Sequence, residues 1–311
     1  MSVIKEYSYP SKSGTADIYA MSYAPDDGNI KAVFQISHGM AEHCGRYKEF
    51  AEYLVSRGFA VFINDHVGHG RSVKNDDDLG YFGEKNGWQA FVKDNRTLTE
   101  MARKEYPDLP VIFFGHSMGS FVAREYARRY GSDEAIKGFI FCGTSGKNPG
   151  APAGIILANL VAKVKGSRCR SKLIDSIAFG TYNKRIDTPR TNFDWLTKDE
   201  AIVDTYIADK YSGFLFTAVG YRDMFTLLKT VSADDWYQGL NKDKPVYLTA
   251  GEMDPVGTYG AGVTQVYNDI KAAGVKDVSI RLYKDDRHEI HNELDRAQVY
   301  CDIADWAESK L

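Results

Sequence analysis

One run constrains the fold more than any other in the chain: PVIFFGHSMGS, residues 110–120. Val111, Ile112, Phe113 and Phe114 are β-branched and aromatic without alternation, the pattern of a short strand covered on both faces. The MGSFVAREYARRY that overlaps and follows it reads as a helix. A strand that gives way to a helix within a few residues has to turn sharply, and bulky side chains obstruct the turn. Gly115 and Gly119 leave room for it and set Ser117 at the apex with its hydroxyl exposed. G-x-S-x-G arises by chance in many chains. The buried strand before it and the helix after it make it informative here.

Strands and helices alternate around this run. VIKEYSY and TADIYAMSY read as antiparallel strands joined by PSKSG. KAVFQISHG and AVFIND read as buried strands that end in loops at Gly39 and at HVGHGRS. RYKEFAEYLVSRG and the segment 87–105 each place apolar residues on one helical face. This rhythm predicts a mostly parallel sheet with helices on both faces. It breaks between 145 and 232, where segments such as GIILANLVAKV and FLFTAVGYRDMFTLL are helical in character and no strand stands out. It then returns with PVYLTAGEMD, YGAGVTQVYNDIKAAG and VSIRLYK, and a last helix is expected from about His291 to Leu311. The expected organisation is an α/β core domain, 1–144 with 233–311, interrupted by an inserted helical cap, or lid, at 145–232; that segment is too long for an ordinary loop.

In such sheets functional groups gather at the carboxyl ends of strands. Asp254 follows the strand in PVYLTAGEMDP, and His288 lies in the loop after VSIRLYK. The chain order Ser117, Asp254, His288 is that of a Ser–Asp–His hydrolase built on a parallel sheet. Asp65 also ends a strand, but it precedes the serine and reads as support for its own turn. Glu252 competes with Asp254, and His291 with His288. Asp254 lies deeper in its loop, and His291 is expected to open the last helix, so Asp254 and His288 are the expected partners. Two backbone N–H groups should form an oxyanion hole: Met118, after the serine, and Met40, in the loop HGMAEHCGRY.

Composition excludes several classes. The formal net charge of −3 gives no basic surface for nucleic acid. The N-terminal MSVIKEYSYPSKSG has no apolar core of an export signal, so a cytoplasmic location is expected. Cys44, Cys142, Cys169 and Cys301 are far apart and read as free thiols. RHEIHNE falls one residue short of the H-E-x-x-H zinc spacing, so no metal or other cofactor is expected.

SHGMAEHCGRYKEFAEYL, NDHVGHGRS, FGHSMGS, GEMDPVG and YKDDRHEIHNE together resemble the monoglyceride lipase and lysophospholipase group of the α/β-hydrolase fold, in the same order and over nearly the whole chain. The resemblance implies the same triad and oxyanion donors, and a cap at 145–232 that forms an acyl-chain tunnel. The expected reaction is hydrolysis of a small-molecule ester or lipid through an acyl-enzyme on Ser117. Ile155, Ile156, Phe214 and Phe216 are candidates to line the substrate site, and the same apolar residues would also serve to pack the cap. A transient contact of the cap with a membrane surface fits its composition. A peptidase or amidase, an acyltransferase and a non-catalytic ligand-binding relative remain as alternatives; Asp199, Glu200 and Asp204 would serve the first by binding an amine.

Overall fold

The computed structural model describes residues 2–311. Eight strands form one sheet in the order β1-β2-β4-β3-β5-β6-β7-β8. β1 (Ser2–Pro10) and β2 (Asp17–Pro25) pair antiparallel, and β2 joins β4 (Phe59–Asn64) antiparallel. From there β4, β3 (Ala32–Ser37), β5 (Val111–His116), β6 (Ile136–Cys142), β7 (Val246–Gly251) and β8 (Val278–Tyr283) run parallel. β3, β4, β5 and β7 are buried at every residue, which is why their sequences are apolar runs without alternation.

Helices cover both faces. α1 (Lys48–Ser56) and α9 (Arg296–Glu308) close one core with Phe50, Leu54, Val299 and Ile303. α2 (Trp88–Glu105), α3 (Met118–Tyr130) and α8 (Ala261–Ala272) close the other with Phe91, Val122 and Val266. After β3 the chain moves to one side for β4 and to the other for β5. The strand order therefore reverses beside β3, and crevices for ligands form at the carboxyl ends next to such a reversal. The loop at Gly39 and Ser117 both lie there.

Between β6 and β7 come α4 (Ala151–Lys165), α5 (Lys172–Phe179), α6 (Glu200–Ala208) and α7 (Ala218–Val231). α7 packs on α4 and on α3, and Leu227 and Val231 belong to the core. One expectation is corrected: His291 does not open the last helix. It sits in a single 3₁₀ turn, Ile290–Asn292, and α9 begins at Arg296. The polar groups between are committed to the loop, with Asn292 donating to Glu289 and the Glu293 carboxylate accepting from the Arg287 N–H.

Candidate active site

Ser117 stands between β5 and α3 at φ 54° and ψ −121°, a backbone conformation that L-residues rarely adopt. Its N–H donates to the Cys142 carbonyl at 2.9 Å, and Ser120 N–H donates to its carbonyl at 2.8 Å. The glycines make the turn feasible. A Cβ on Gly119 would stand 2.0 Å from the Ser37 carbonyl oxygen, and one on Gly115 would stand 2.2 Å from that of Gly119. α3 thus approaches β3 closely enough to exclude any side chain at 119. Met118 is the first residue of α3, where amide groups have no partner within the helix.

Asp254 and His288 are buried, and His288 Nδ1 lies 2.9 Å from Asp254 Oδ1. The same carboxylate oxygen accepts the Val256 N–H at 2.8 Å, which fixes its orientation. With Nδ1–H donating to Asp254, Nε2 keeps its lone pair for a proton. Burial opposes a charge on His288, yet the Asp254 charge and hydrogen bond outweigh it and raise the imidazole above its ordinary pKa. His291, the competing base, is pushed down to about 3 by burial. Asp65, the competing acid, accepts the N–H groups of Cys44 and Arg71, each at 2.7 Å, and so supports its own turn.

A buried network that the sequence reading did not anticipate holds the loop at Gly39. Glu42 accepts the Gly39 N–H at 2.6 Å and the Tyr47 hydroxyl at 2.9 Å. Arg46 bonds Glu42 at 2.7 Å and grips both carboxylate oxygens of Glu289, the residue after His288. One guanidinium thereby ties the loop after β3 to the loop after β8. The E, R and E of HGMAEHCGRY and RHE were the only signal for it. His116, Cys142 and His291 also cluster, their ligand atoms within 4.8 Å of one another. His116 Nε2 is already engaged with the His288 carbonyl at 3.2 Å.

The segment between β6 and β7 touches the loop after β3. Gly213 N–H and the Tyr206 hydroxyl both donate to the Ala41 carbonyl, at 2.9 and 3.1 Å. His43 pairs with Asp209 at 2.6 Å. Of the residues expected to line a substrate site, Ile155 and Phe214 are half-buried and Phe216 is buried against Phe82 and His69. Ile156, the fourth of these candidates, is 70% exposed on the outer face of α4.

The model of the family described as serine aminopeptidase, S33 matches residues 28–295. The chain belongs to that family. It is 27% identical to the monoacylglycerol lipase of Mycolicibacterium smegmatis over 311 residues, covering 98% of both chains. It is 28% identical to the human monoglyceride lipase, covering 93% of this chain and 86% of that one. A thermostable carboxyl esterase from Bacillus coagulans, solved with glycerol, superposes at a TM-score of 0.92 with 30% identity, covering 100% of this chain and 99% of that one. The fold is accordingly the α/β-hydrolase fold.

Proposed function

We propose that the protein hydrolyses carboxylic esters of acyl or lipid type, monoacylglycerols among them, through an acyl-enzyme on Ser117. The observations that carry this reading are the buried His288–Asp254 pair in the loops after β7 and β8 and a serine held in a strained turn after β5, all at the carboxyl edge of the same sheet. Ser117 attacks the ester carbonyl while His288 takes its proton, and Asp254 orients the imidazole and balances its charge. The N–H groups of Met40 and Met118 receive the oxyanion, each contributing on the order of 10²–10³ in rate. His288 then protonates the departing alcohol and activates the water that frees the acid. The segment 145–232 serves as the cap, with Ile155 and Phe214 toward the acyl chain. The four free thiols support a cytoplasmic setting as part of the same reading.

The family description favours a second reading, cleavage at a free amino terminus. It would need an unpaired carboxylate for the amine. Asp199 caps α6 and bonds Arg296, and Asp204 pairs with Arg190, so these carboxylates are committed elsewhere. Ester hydrolysis is the better fit.

No helix among the described residues is long and apolar enough to cross a membrane. Ile156, Leu160 and Val164 face outward at four-residue spacing on α4, joined by Leu173 and Ile177 on α5. Lys163, Lys165 and Lys172 accompany them. This patch suits transient contact with an anionic lipid surface. Leu160→Glu should weaken co-sedimentation with phosphatidylglycerol vesicles and leave hydrolysis of short soluble esters intact.

The decisive assay is hydrolysis of p-nitrophenyl esters from acetate to palmitate beside amino-acid p-nitroanilides, with Ser117→Ala in parallel. Each buried CH₂ contributes about 0.8 kcal/mol, so rates should climb several-fold per carbon until the site is filled. Cleavage of anilides but no ester by the wild type would overturn the reading.

A further inference from the structure

The geometry points to Trp195, in the inserted segment, as a positioning residue for His288 that also favours its protonated state. This rests on the proposed role of His288 as the base. The Trp195 and His288 rings lie 5.0 Å apart between centroids, inclined at 40°. Behind Trp195 stands Tyr182, its ring 4.9 Å away and nearly perpendicular at 78°. The backbone completes the bracket. His288 N–H donates to the Trp195 carbonyl at 3.3 Å, and Glu289 N–H to the Leu196 carbonyl at 2.7 Å. The Arg287 guanidinium donates to the carbonyls of Asp194 and Thr197 at 2.6 and 3.0 Å. Lys198 Nζ reaches Asp286 at 2.6 Å. Every residue from Asp286 to Glu289 is thus tied to the segment 194–198, so the loop that carries the base is shaped by the insertion as well as by the sheet.

An imidazole that takes a proton becomes a cation, and an indole face within about 6 Å attracts a cation through its quadrupole. The attraction exists only when His288 is charged, the state that forms as Ser117 attacks, so it favours the transition state over the resting enzyme. The other groups around His288 are few. Asp254 faces it from the loop after β7, and Glu289 adjoins it in the chain. Glu42 acts from the loop after β3, where Arg46 partly neutralises both glutamates. The His116 ring lies 4.7 Å away at the end of β5. Cys142 on β6 and Tyr182 on the insertion lie near Asp254, and burial together with the Asp254 charge raises both. Trp195 is the aromatic ring that the insertion sets against this group, and its substitution leaves all of these charges in place.

The test is the pH profile of kcat/KM for p-nitrophenyl acetate between pH 5 and 9 in the wild type, Trp195→Phe and Trp195→Leu, with folding checked by circular dichroism. Loss of the indole should move the acid limb of Trp195→Leu down by about half a pH unit and lower kcat about 3- to 10-fold. Trp195→Phe, with a weaker quadrupole and the same exclusion of water, should fall between. A wall that only fills space predicts the opposite sign, because water admitted by leucine would ease protonation and move the limb up. A folded Trp195→Leu with an unmoved or raised limb overturns the inference. His288→Ala separates the two levels: if it stays active, the assignment of the base fails, whereas if it is inactive and the limb is unmoved, only the role of Trp195 fails.

Discussion

Gly119→Ala tests how the serine is held. The added methyl would meet the Ser37 carbonyl oxygen at 2.0 Å, the Ser37 carbonyl carbon at 2.6 Å and the His38 carbonyl oxygen at 2.5 Å. All three are backbone atoms of β3 and its end, so no side-chain rotation relieves the clash. Restoring an ordinary contact of 3.4 Å to the nearest atom requires α3 to retreat about 1.4 Å from the sheet. Ser117 and Met118 sit at the start of that helix and would move with it. A displacement of about 1 Å is enough to cost on the order of 10² in rate, so kcat should fall at least that far while KM changes little. Crowding of this kind costs typically 1–3 kcal/mol, readable as a lower urea midpoint. A variant with undiminished kcat and an unchanged midpoint would show that the approach of α3 to β3 is not what sets the serine.

Two further substitutions probe buried charge. Arg46→Ala leaves Glu42 and Glu289 buried and facing one another, and should cost about 3–5 kcal/mol of stability in urea unfolding. Burial alone would raise Glu289, but Arg46 holds it down at about 2, so the stability this pair provides is present near neutral pH and lost on acidification. Asp94 has the opposite sign. It accepts from Ser11 and Lys12 in the β1–β2 turn, and burial raises it to about 6. The folded chain therefore holds a proton that the unfolded chain has released, and stability from this site falls as pH rises from about 4 to 6. Asp94→Asn should remove that slope and gain about 2 kcal/mol relative to the wild type between pH 4.5 and 7.5; a constant difference between the two proteins across that range would refute it.

The central strands β3, β4, β5 and β7 were legible because burial on both faces leaves them as largely apolar runs, and Val111–Phe114 could hardly be anything else. Asp254 and His288 could be picked out because each follows a strand, β7 and β8, and the fold brings the ends of the parallel strands to one edge. The ties around them were not legible. Arg46 and Glu289 meet across most of the chain, and Trp195 meets His288 only because the insertion folds back over the loop after β8. Contacts of this kind depend on packing between elements, which local periodicity does not record. The start of the last helix failed for a related reason. His291 and Asn292 look like first-turn residues, yet the Glu293 carboxylate is held by the N–H groups of Arg287 and Lys198 and keeps the segment a loop.

Six of the seven histidines are buried toward the carboxyl edge of the sheet, so burial cannot be what selects the base. It does the reverse: His38, His69 and His291 are pushed down to about 3, mainly by desolvation. A base that weak cannot hold the serine proton near neutral pH. His288 is as deeply buried, yet it is raised, because Asp254 accepts from Nδ1 at 2.9 Å and supplies the opposing charge. Asp254→Asn should therefore turn His288 into one more inert buried imidazole. The asparagine oxygen can still accept from Val256 N–H, so the loop should keep its shape while the charge is lost. Activity should fall about 10⁴-fold, and the acid limb of kcat/KM, above 6.5 in the wild type, should move below it. Because the proton has become too weakly held, raising the pH should not restore the rate. An asparagine variant that keeps the wild-type limb would mean that some other group sets the basicity of His288.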